Sequence, residues 1–463
     1  MSQSRKLRDP IHGFIELRGR ECDILDTPLF QRLRRVSQLA MARLVYPGAV
    51  HTRFDHTLGV LSVAGRLCDA LGVDPDHSLI IRYAALLHDL GHGPFSHVSE
   101  TILDSLSTPA LERAAGKKDK IHELITQKII LEHSDLNPAL ATKDREEVAR
   151  LLSIGLDQRI HRDIISGPLD ADKQDYLLRD SYFCGVTYGV YDIDQLHQTL
   201  CVGQDDDETA LMVTASGVHV LEQFVLAKYY LTTQVYRHKV RLITDNMLVR
   251  GIQLGVLNDK IKFLQELYCF KDSKKYLSNY LSWDDQRLTV ELLKPDYAKT
   301  YAGSIFRDLA ERRLFKQLFS INLKAVPNQV RMALPQQFAQ SRKELEQAVA
   351  SELKKHQKSP VDANCVILHL YRIESVRAQS RNSEAPIMVN KPGKPVPFED
   401  ESSLFTSIEI GLSEEYLECY APVSFTDEKQ KLAIKEKIQA FMLNFLADKF
   451  DNQLKLPVQH EKL

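Results

Sequence analysis

The sequence predicts a mainly α-helical protein with a small β-hairpin and an α+β C-terminal region. Three observations predict it. Apolar residues recur at helical spacing, closed off by Pro and Gly, through most of the first 323 positions. Two β-prone runs flank an acidic turn between 199 and 220. Beyond about 330 the composition changes, and short strand-like runs alternate with charged or amphipathic helices. The expected division is a helical core over 1–330 and a small α+β region over 331–463.

Residues 1–20 read as an extended or hairpin segment punctuated by Pro10 and Gly13. Asp26-Thr27-Pro28 reads as a helix start, and Leu29, Leu33, Val36 and Leu39 continue at helical spacing to residue 40. His56 to Leu71 repeats the pattern, with Gly72 as its stop. Ser78 to Asp89 is a strongly apolar helix broken at Gly91, Gly93 and Pro94, and another runs from Ser96 to Leu106. The polar stretch 107–120 reads as a surface loop, followed by helices over 121–133, 144–154 and Asp170 to Asp180. The runs either side of Gln204–Glu208 form the expected hairpin, and 220–323 is mainly helical. In the C-terminal region a charged helix over 341–357 precedes four strand-like runs: Cys365–Ile373, Pro386–Asn390, Leu404–Ile410 and Tyr416–Val423. A loop rich in Pro, Lys and Gly, Lys391–Pro397, separates the second run from the third, and an amphipathic helix over 427–449 closes the pattern.

Composition excludes several classes. With 463 residues, 44% of them hydrophobic, the chain has material for a sizeable core and is neither disordered nor collagen-like as a whole. No apolar run approaches the roughly 18 residues that span a bilayer, and the start MSQSRKLRDPIHG lacks an apolar signal region, so a cytoplasmic protein without membrane partners is expected. Seven scattered cysteines, with no CxxC, read as reduced thiols rather than disulfides or a zinc site. A net charge of −2 argues against a generic nucleic-acid coat. Residues 1–60 nevertheless hold ten Lys/Arg against six Asp/Glu, a local excess that suits phosphate-bearing ligands as well as a solvated face.

The histidines are unevenly spread. Seven of sixteen fall between 51 and 122: His51, His56, His77, His88, His92, His97 and His122. His88-Asp89 ends an apolar helix, where charged groups need a partner. Imidazole plus carboxylate is a ligand set for Zn, Mn or Fe. His92 and His97 follow on the Gly-Pro turn and the next helix, where imidazoles serve as spare ligands, proton donors or phosphate contacts. A metal or acid/base site is expected here, although spacing alone leaves its chemistry open.

His56, His88-Asp89 and Asp172 form an H…HD…D series set within longer motifs: RDPIHGFIEL, LDTPLFQRLRRVSQL, YPGAVHTRFDHTLGV, LLHDLGHGPFSH and LDADKQDYLLRD, in that order. In these the sequence resembles the HD-domain deoxynucleoside triphosphate triphosphohydrolases, both the SAM-and-HD-domain branch and its bacterial relatives. The resemblance is dense over about 5–240 and fades towards the C-terminus. Because the first motif begins near residue 5, the expectation is a bacterial-type enzyme without a preceding SAM domain.

The resemblance implies roles for particular residues. His56, His88, Asp89 and Asp172 would hold a divalent transition metal, Fe, Mn or Zn, with Mg as a further ion. Arg53, Lys173 and Tyr176 match phosphate-contacting positions. His92, His97 and His122 match catalytic histidines; His122 is the expected proton donor, with Glu100 and Glu123 as carboxylates that keep it protonated. Asp180 and Gln38 match residues that hold a sugar 3′-hydroxyl, with Leu39 beside them, and Tyr236 matches the ring under the deoxyribose. Two positions depart from the family: Lys228 stands for a phosphate-gripping arginine and Arg237 for a glutamine near the base. Asp26, Gln31 and Arg34, with Arg5, match a pocket for GTP or dGTP as activator in a homo-oligomer, dimer or tetramer. Uncharged Thr214 and Ser216 replace basic residues there and argue against a second activating nucleotide.

The leading expectation is thus a dNTP triphosphohydrolase. The alternatives are a phosphodiesterase or nuclease acting on nucleic acid or signalling nucleotides with the same metal centre, and a catalytically silent nucleotide-sensing module. Products separate the first two, and binding without turnover would mark the third.

Overall fold

The structure is a computed structural model that describes residues 4–114, 121–153, 159–205, 208–357, 360–374, 386–407 and 413–451. The fold is mainly α, and no helix among the described residues is long and apolar enough to cross a membrane. Two compact units are formed. One is drawn from Met1–Arg241, Gly251–Phe306 and Val376–Gly411, the other from Leu242–Arg250, Arg307–Ser375 and Leu412–Leu463.

The first unit opens with an antiparallel hairpin, Ser4–Asp9 against Gly13–Arg18, whose register pairs Asp9 with Gly13. Gly13 takes φ 74°, a left-handed conformation that favours glycine and makes this tight turn. At the centre is the Arg53–Leu71 helix, 13 of whose 19 residues are buried. Thr52 and Asp55 form a capping box at its start, and Gly72 closes it in the left-handed conformation. Against it pack the Pro75–Leu87 and Ala171–Cys184 helices, started by the side chains of Asp74 and Asp170. The expected hairpin is present as Leu200–Asp205 against Glu208–Thr214, and Met388–Asn390 extends it in parallel through Val213 and Val389. A π-helical turn, Thr232–Tyr236, interrupts the helical run and sets Tyr236. Such turns concentrate at functional sites.

In the second unit three antiparallel strands lie in the order Lys316–Asn322, Glu414–Ala421, Ile367–Ile373. The Asn328–Leu353 and Glu428–Asp451 helices supply Leu345, Val349, Leu353, Ile438 and Met442 to a core shared with Leu368 and Leu417 of the sheet.

Four local expectations are corrected. The helix expected to reach residue 40 ends early: Pro28–Gln31 is helical and Arg32–Arg35 is a tighter turn, after which Ser37 bridges Thr52 in extended form. Its sequence is overruled by burial of Arg32, whose guanidinium donates to the carbonyls of Trp283 and His92, both at 2.9 Å. The stretch expected as a loop from 107 is helical as far as Ala114, and 115–120 lie outside the described residues. Residues 316–322, expected as helix, form a strand. Leu404–Ile410, expected as a strand, is helical over Ser403–Ser407, where Phe405 N–H donates to Ser402 Oγ at 3.1 Å and Phe405 packs on Phe398; 408–412 lie outside the described residues.

Candidate metal centre and active site

Three segments build the site. The central helix carries Arg53 and His56, one turn apart on one face. The Pro75–Leu87 helix ends at His88, and the chain then turns through Asp89, His92 and a strained pair, Phe95 (φ 62°) and Ser96 (φ 52°). Non-glycine residues in this conformation persist only where their surroundings fix them. Here Phe95 N–H donates to Asp285 at 2.7 Å, while Ser96 Oγ donates to Ser37 O at 2.7 Å and accepts from Arg53 Nε at 3.0 Å. Gly91 allows close approach, because a Cβ there would lie 2.2 Å from the carbonyl oxygen of His122. The Ala171–Cys184 helix presents Asp172, Lys173, Tyr176 and Asp180.

Ligand atoms of His56, His88 and Asp172 lie within 4.8 Å of one another. His56 Nε2 is 2.9 Å from Asp172 Oδ1 and 3.9 Å from Asp89 Oδ2, and His88 Nε2 is 3.3 Å from Asp89 Oδ1. The residues fit a metal on two observations. His88 Nδ1–H donates to Ala85 O at 2.9 Å, leaving Nε2 with its lone pair, and that buried atom makes no hydrogen bond. His56 lies between two carboxylates, with Nδ1 2.8 Å from Asp175 and Nε2 on Asp172. Burial alone would depress this ring, but the two carboxylates outweigh it and push His56 up to about 10. A cation is what the arrangement favours. Asp89 accepts from Arg53 at 2.7 Å, and although burial opposes its ionisation, Arg53 and the neighbouring histidines hold it well below the usual carboxylate range.

Beside this cluster, His92 and His122 stack with centroids 4.3 Å apart. Their Nδ1 atoms lie 2.9 and 3.3 Å from the same Glu100 oxygen, and His97 Nδ1 lies 3.2 Å from it. The first two contacts are close but not aligned as hydrogen bonds. Glu100 therefore reaches all three histidines. Burial and the adjacent His92 lower His122, whereas Asp89 and Glu100 overcome burial and the adjacent Arg53 and raise His92.

A cavity of about 540 Å³ opens onto these groups. Its wall includes Gln38, Leu39, Arg53, His97, Glu123, Lys173, Tyr176, Asp180 and Tyr236. Lys173 Nζ is 2.5 Å from Asp170, which burial pushes up to about 6 despite that lysine. Asp180 is bound at both oxygens, by His51 at 2.8 Å and by the Tyr236 hydroxyl at 2.5 Å. Gln38 Oε1 is buried without a hydrogen bond. Lys228 and Arg237 are not among the lining residues; Arg241 is, with its guanidinium 5.1 Å from the Tyr236 ring centroid.

The residues matched to an activator pocket also meet. Arg5 grips Asp26 through two parallel bonds of 2.7 and 2.8 Å, Gln31 donates to Leu25 O at 2.7 Å, and Arg34 donates to Gln31 at 2.8 Å. Thr27, not Asp26, caps the following helix. Thr214 and Ser216 bond to each other at 3.0 Å.

Sequence reasoning missed Arg241 and a buried group centred on Asp175, and it gave no role to His51, which it had counted among the clustered histidines. The i, i+4 spacing of Asp175 and Arg179 was an available signal, as was His12 inside RDPIHGFIEL.

The HD domain family matches residues 53–158 and the HD associated region matches 192–436, more than half of the chain. The uncharacterized protein YwfO of Bacillus subtilis is 30% identical over 338 residues, covering 69% of this chain and 72% of its own. The human deoxynucleoside triphosphate triphosphohydrolase SAMHD1 is 31% identical over 273 residues, and its Dictyostelium discoideum homolog 30% over 331. The matches cover 52% and 68% of this chain but 43% and 60% of those proteins. Among solved structures, a hypothetical protein from Aquifex aeolicus superposes with a TM-score of 0.67 at 27% identity, covering 95% of this chain and all (100%) of that one. A phosphohydrolase from Bacteroides thetaiotaomicron, at 24% identity and TM-score 0.69 over 90% of this chain and 100% of its own, shares the fold. With the H…HD…D residues gathered in one cluster and the HD-associated region following, the chain belongs to the HD-domain phosphohydrolase family.

Proposed function

We propose that the chain is a metal-dependent dNTP triphosphohydrolase, converting a deoxynucleoside triphosphate to the deoxynucleoside and inorganic triphosphate. The observation that carries this reading is one cavity, of a volume usual for a small-molecule site, walled by the His/Asp cluster, by cations and by the Tyr236–Asp180 pair. A divalent metal on His56, His88, Asp89 and Asp172 would supply Lewis acidity and a template for phosphate oxygens. Arg53 and Lys173, already ordered by Asp89 and Asp170, are poised to neutralise phosphate charge. His92 and His122, facing one Glu100 oxygen, hold the proton that the leaving 5′-oxygen needs. Asp180 accepts from the sugar 3′-hydroxyl, with Gln38 as the second residue that holds it. Tyr236 fills the space where a 2′-hydroxyl would project, which favours deoxynucleotides.

Activation by a guanine nucleotide belongs to the same reading. Arg5 offers Asp26 two parallel N–H donors, the pattern that the guanine edge also offers, so GTP or dGTP would compete with Arg5 or displace it. Assembly into a dimer or tetramer would then be linked to that binding. Chromatography of products from each dNTP, with Mn or Mg and with or without GTP, tests the function. Deoxynucleoside and triphosphate are expected, whereas monophosphate with pyrophosphate, or cleavage of oligonucleotides alone, would replace the reading with the phosphodiesterase alternative.

A further inference from the structure

The metal cluster has a buried backing in the first unit that joins it to the N-terminal hairpin. Asp175 stands behind His56. Its Oδ2 accepts from His56 Nδ1 at 2.8 Å, and its Oδ1 accepts from His12 Nε2 at 2.7 Å. Arg179 spans both oxygens, with Nε at 2.8 Å from Oδ2 and Nη2 at 2.9 Å from Oδ1. Asp9 then ties the two donors together: its Oδ2 accepts from Arg179 at 2.9 Å, and its Oδ1 accepts the backbone N–H of His12 at 2.8 Å. The side chains of His12, His56, Asp175 and Arg179 are each 2% exposed or less.

We propose that His12, at the turn of the N-terminal hairpin, is a positioning residue of the metal centre, acting through Asp175 to fix the ring of His56. It rests on the metal reading of the same cluster. The physical logic is directional. His56 offers its Nε2 lone pair to a cation only while Nδ1 carries the proton, and that proton stays on Nδ1 because Asp175 accepts it. The two parallel bonds from Arg179 restrict rocking of the carboxylate in their own plane but leave it able to hinge out of that plane. The His12 N–H fixes Oδ1, so Oδ2 remains aimed at His56. The hairpin turn thereby becomes part of the metal site although it lies far from the ligands in sequence. A ligand or chain contact that shifts the hairpin would be felt as a change in metal affinity.

Titration of the full-length, metal-stripped chain with Co²⁺ alone, followed by its visible absorption and by chelator competition, tests this. His12→Phe keeps a ring but removes the donor, whereas His12→Gln keeps an N–H near the Nε2 position. The phenylalanine variant is expected to weaken Co²⁺ binding about tenfold and shift the absorption bands, and the glutamine variant to restore most of both; Asp175→Asn should cost up to about 100-fold. His56→Ala, which removes a ligand, calibrates loss of the site. Equal affinity and spectra for His12→Phe and wild type would overturn the inference and leave the metal reading intact. Equal weakening in the Phe and Gln variants, matched by an equal fall in the thermal midpoint of the stripped protein, would reduce His12 to general packing and also overturn it. A wild-type chain that takes up no stoichiometric Co²⁺ would defeat the metal reading, and the inference with it.

Discussion

Gly59 sits one turn after His56 on the central helix, and a methyl group there would occupy the place of the carboxylate behind the metal cluster. A Cβ at Gly59 would lie 1.8 Å from Asp175 Oδ1 and 2.4 Å from Arg179 Nη2. Real contacts of this kind do not fall below 3.0 Å, so Gly59→Ala must drive Asp175 back by more than 1 Å, about enough to break its 2.8 Å bond to His56. Two costs combine. Forcing a methyl group into a filled interior costs about 1–3 kcal/mol, and disrupting a buried ion pair costs about 3–5 kcal/mol. Because Asp175 and Arg179 can move together and keep part of their pairing, the lower end of the combined range applies, at about 4 kcal/mol. Urea unfolding of the metal-stripped protein, followed by circular dichroism, should show a lower midpoint with an unchanged slope, and Co²⁺ affinity should fall about 10- to 100-fold. A variant within about 0.5 kcal/mol of wild type, the usual scatter for an inert surface change, with unchanged affinity, would refute the argument that Asp175 supports the site.

Other outcomes follow from the same geometry. Asp89→Ala should lose both metal and turnover while keeping its helical signal; elemental analysis showing full occupancy in an active variant would remove Asp89 from the ligand set. Wild-type protein should cleave dGTP much faster than GTP, with Tyr236→Ala narrowing the gap, and equal wild-type rates on the two would refute the steric account. Asp26→Ala should abolish any rise in turnover with GTP while leaving metal content unchanged, since Asp26 lies at the surface, paired with Arg5; sedimentation run alongside reads the assembly. His197, buried against Gln174 at 2.6 Å, is lowered to about 4, mainly by burial. Its folded value lies below the unfolded one of about 6.5, so its contribution is complete above pH ~6.5 and lost as pH falls towards 4. About 3 kcal/mol of acid sensitivity should therefore disappear in His197→Gln, and identical pH–stability curves for the two proteins would contradict that assignment.

What could be read from the sequence follows from how local its causes are. The starts of the helices at 53, 75 and 171 are set by side chains one to three residues away, at Thr52, Asp74 and Asp170, and such signals survive without a fold. His88-Asp89 was legible because polar groups at the end of an apolar helix demand a partner, whereas His56 and Asp172 were set beside them only by the resemblance to the HD-domain family. By contrast, residues 36–40 carry a helical pattern, yet the bridge from Ser37 to Thr52 and the burial of Arg32 against Trp283 and His92 depend on chain far away. The part Asp175 plays behind the cluster was hidden for the same reason. On a helix it reads as an acid paired with Arg179, and only the packed fold brings His12 and His56 to its two oxygens. Arg241 was passed over because the π-helical turn at Thr232–Tyr236 changes which residues after it face the cavity.

The central claim is cleavage between the 5′-oxygen and the α-phosphorus of a dNTP at the His56/His88/Asp172 cluster. Hydrolysis of dGTP in water enriched in ¹⁸O, with the products resolved by mass spectrometry, tests it most directly. The account predicts deoxyguanosine without label and inorganic triphosphate carrying one ¹⁸O, both absent in His88→Ala. Label in monophosphate or pyrophosphate, with no triphosphate formed, would contradict it.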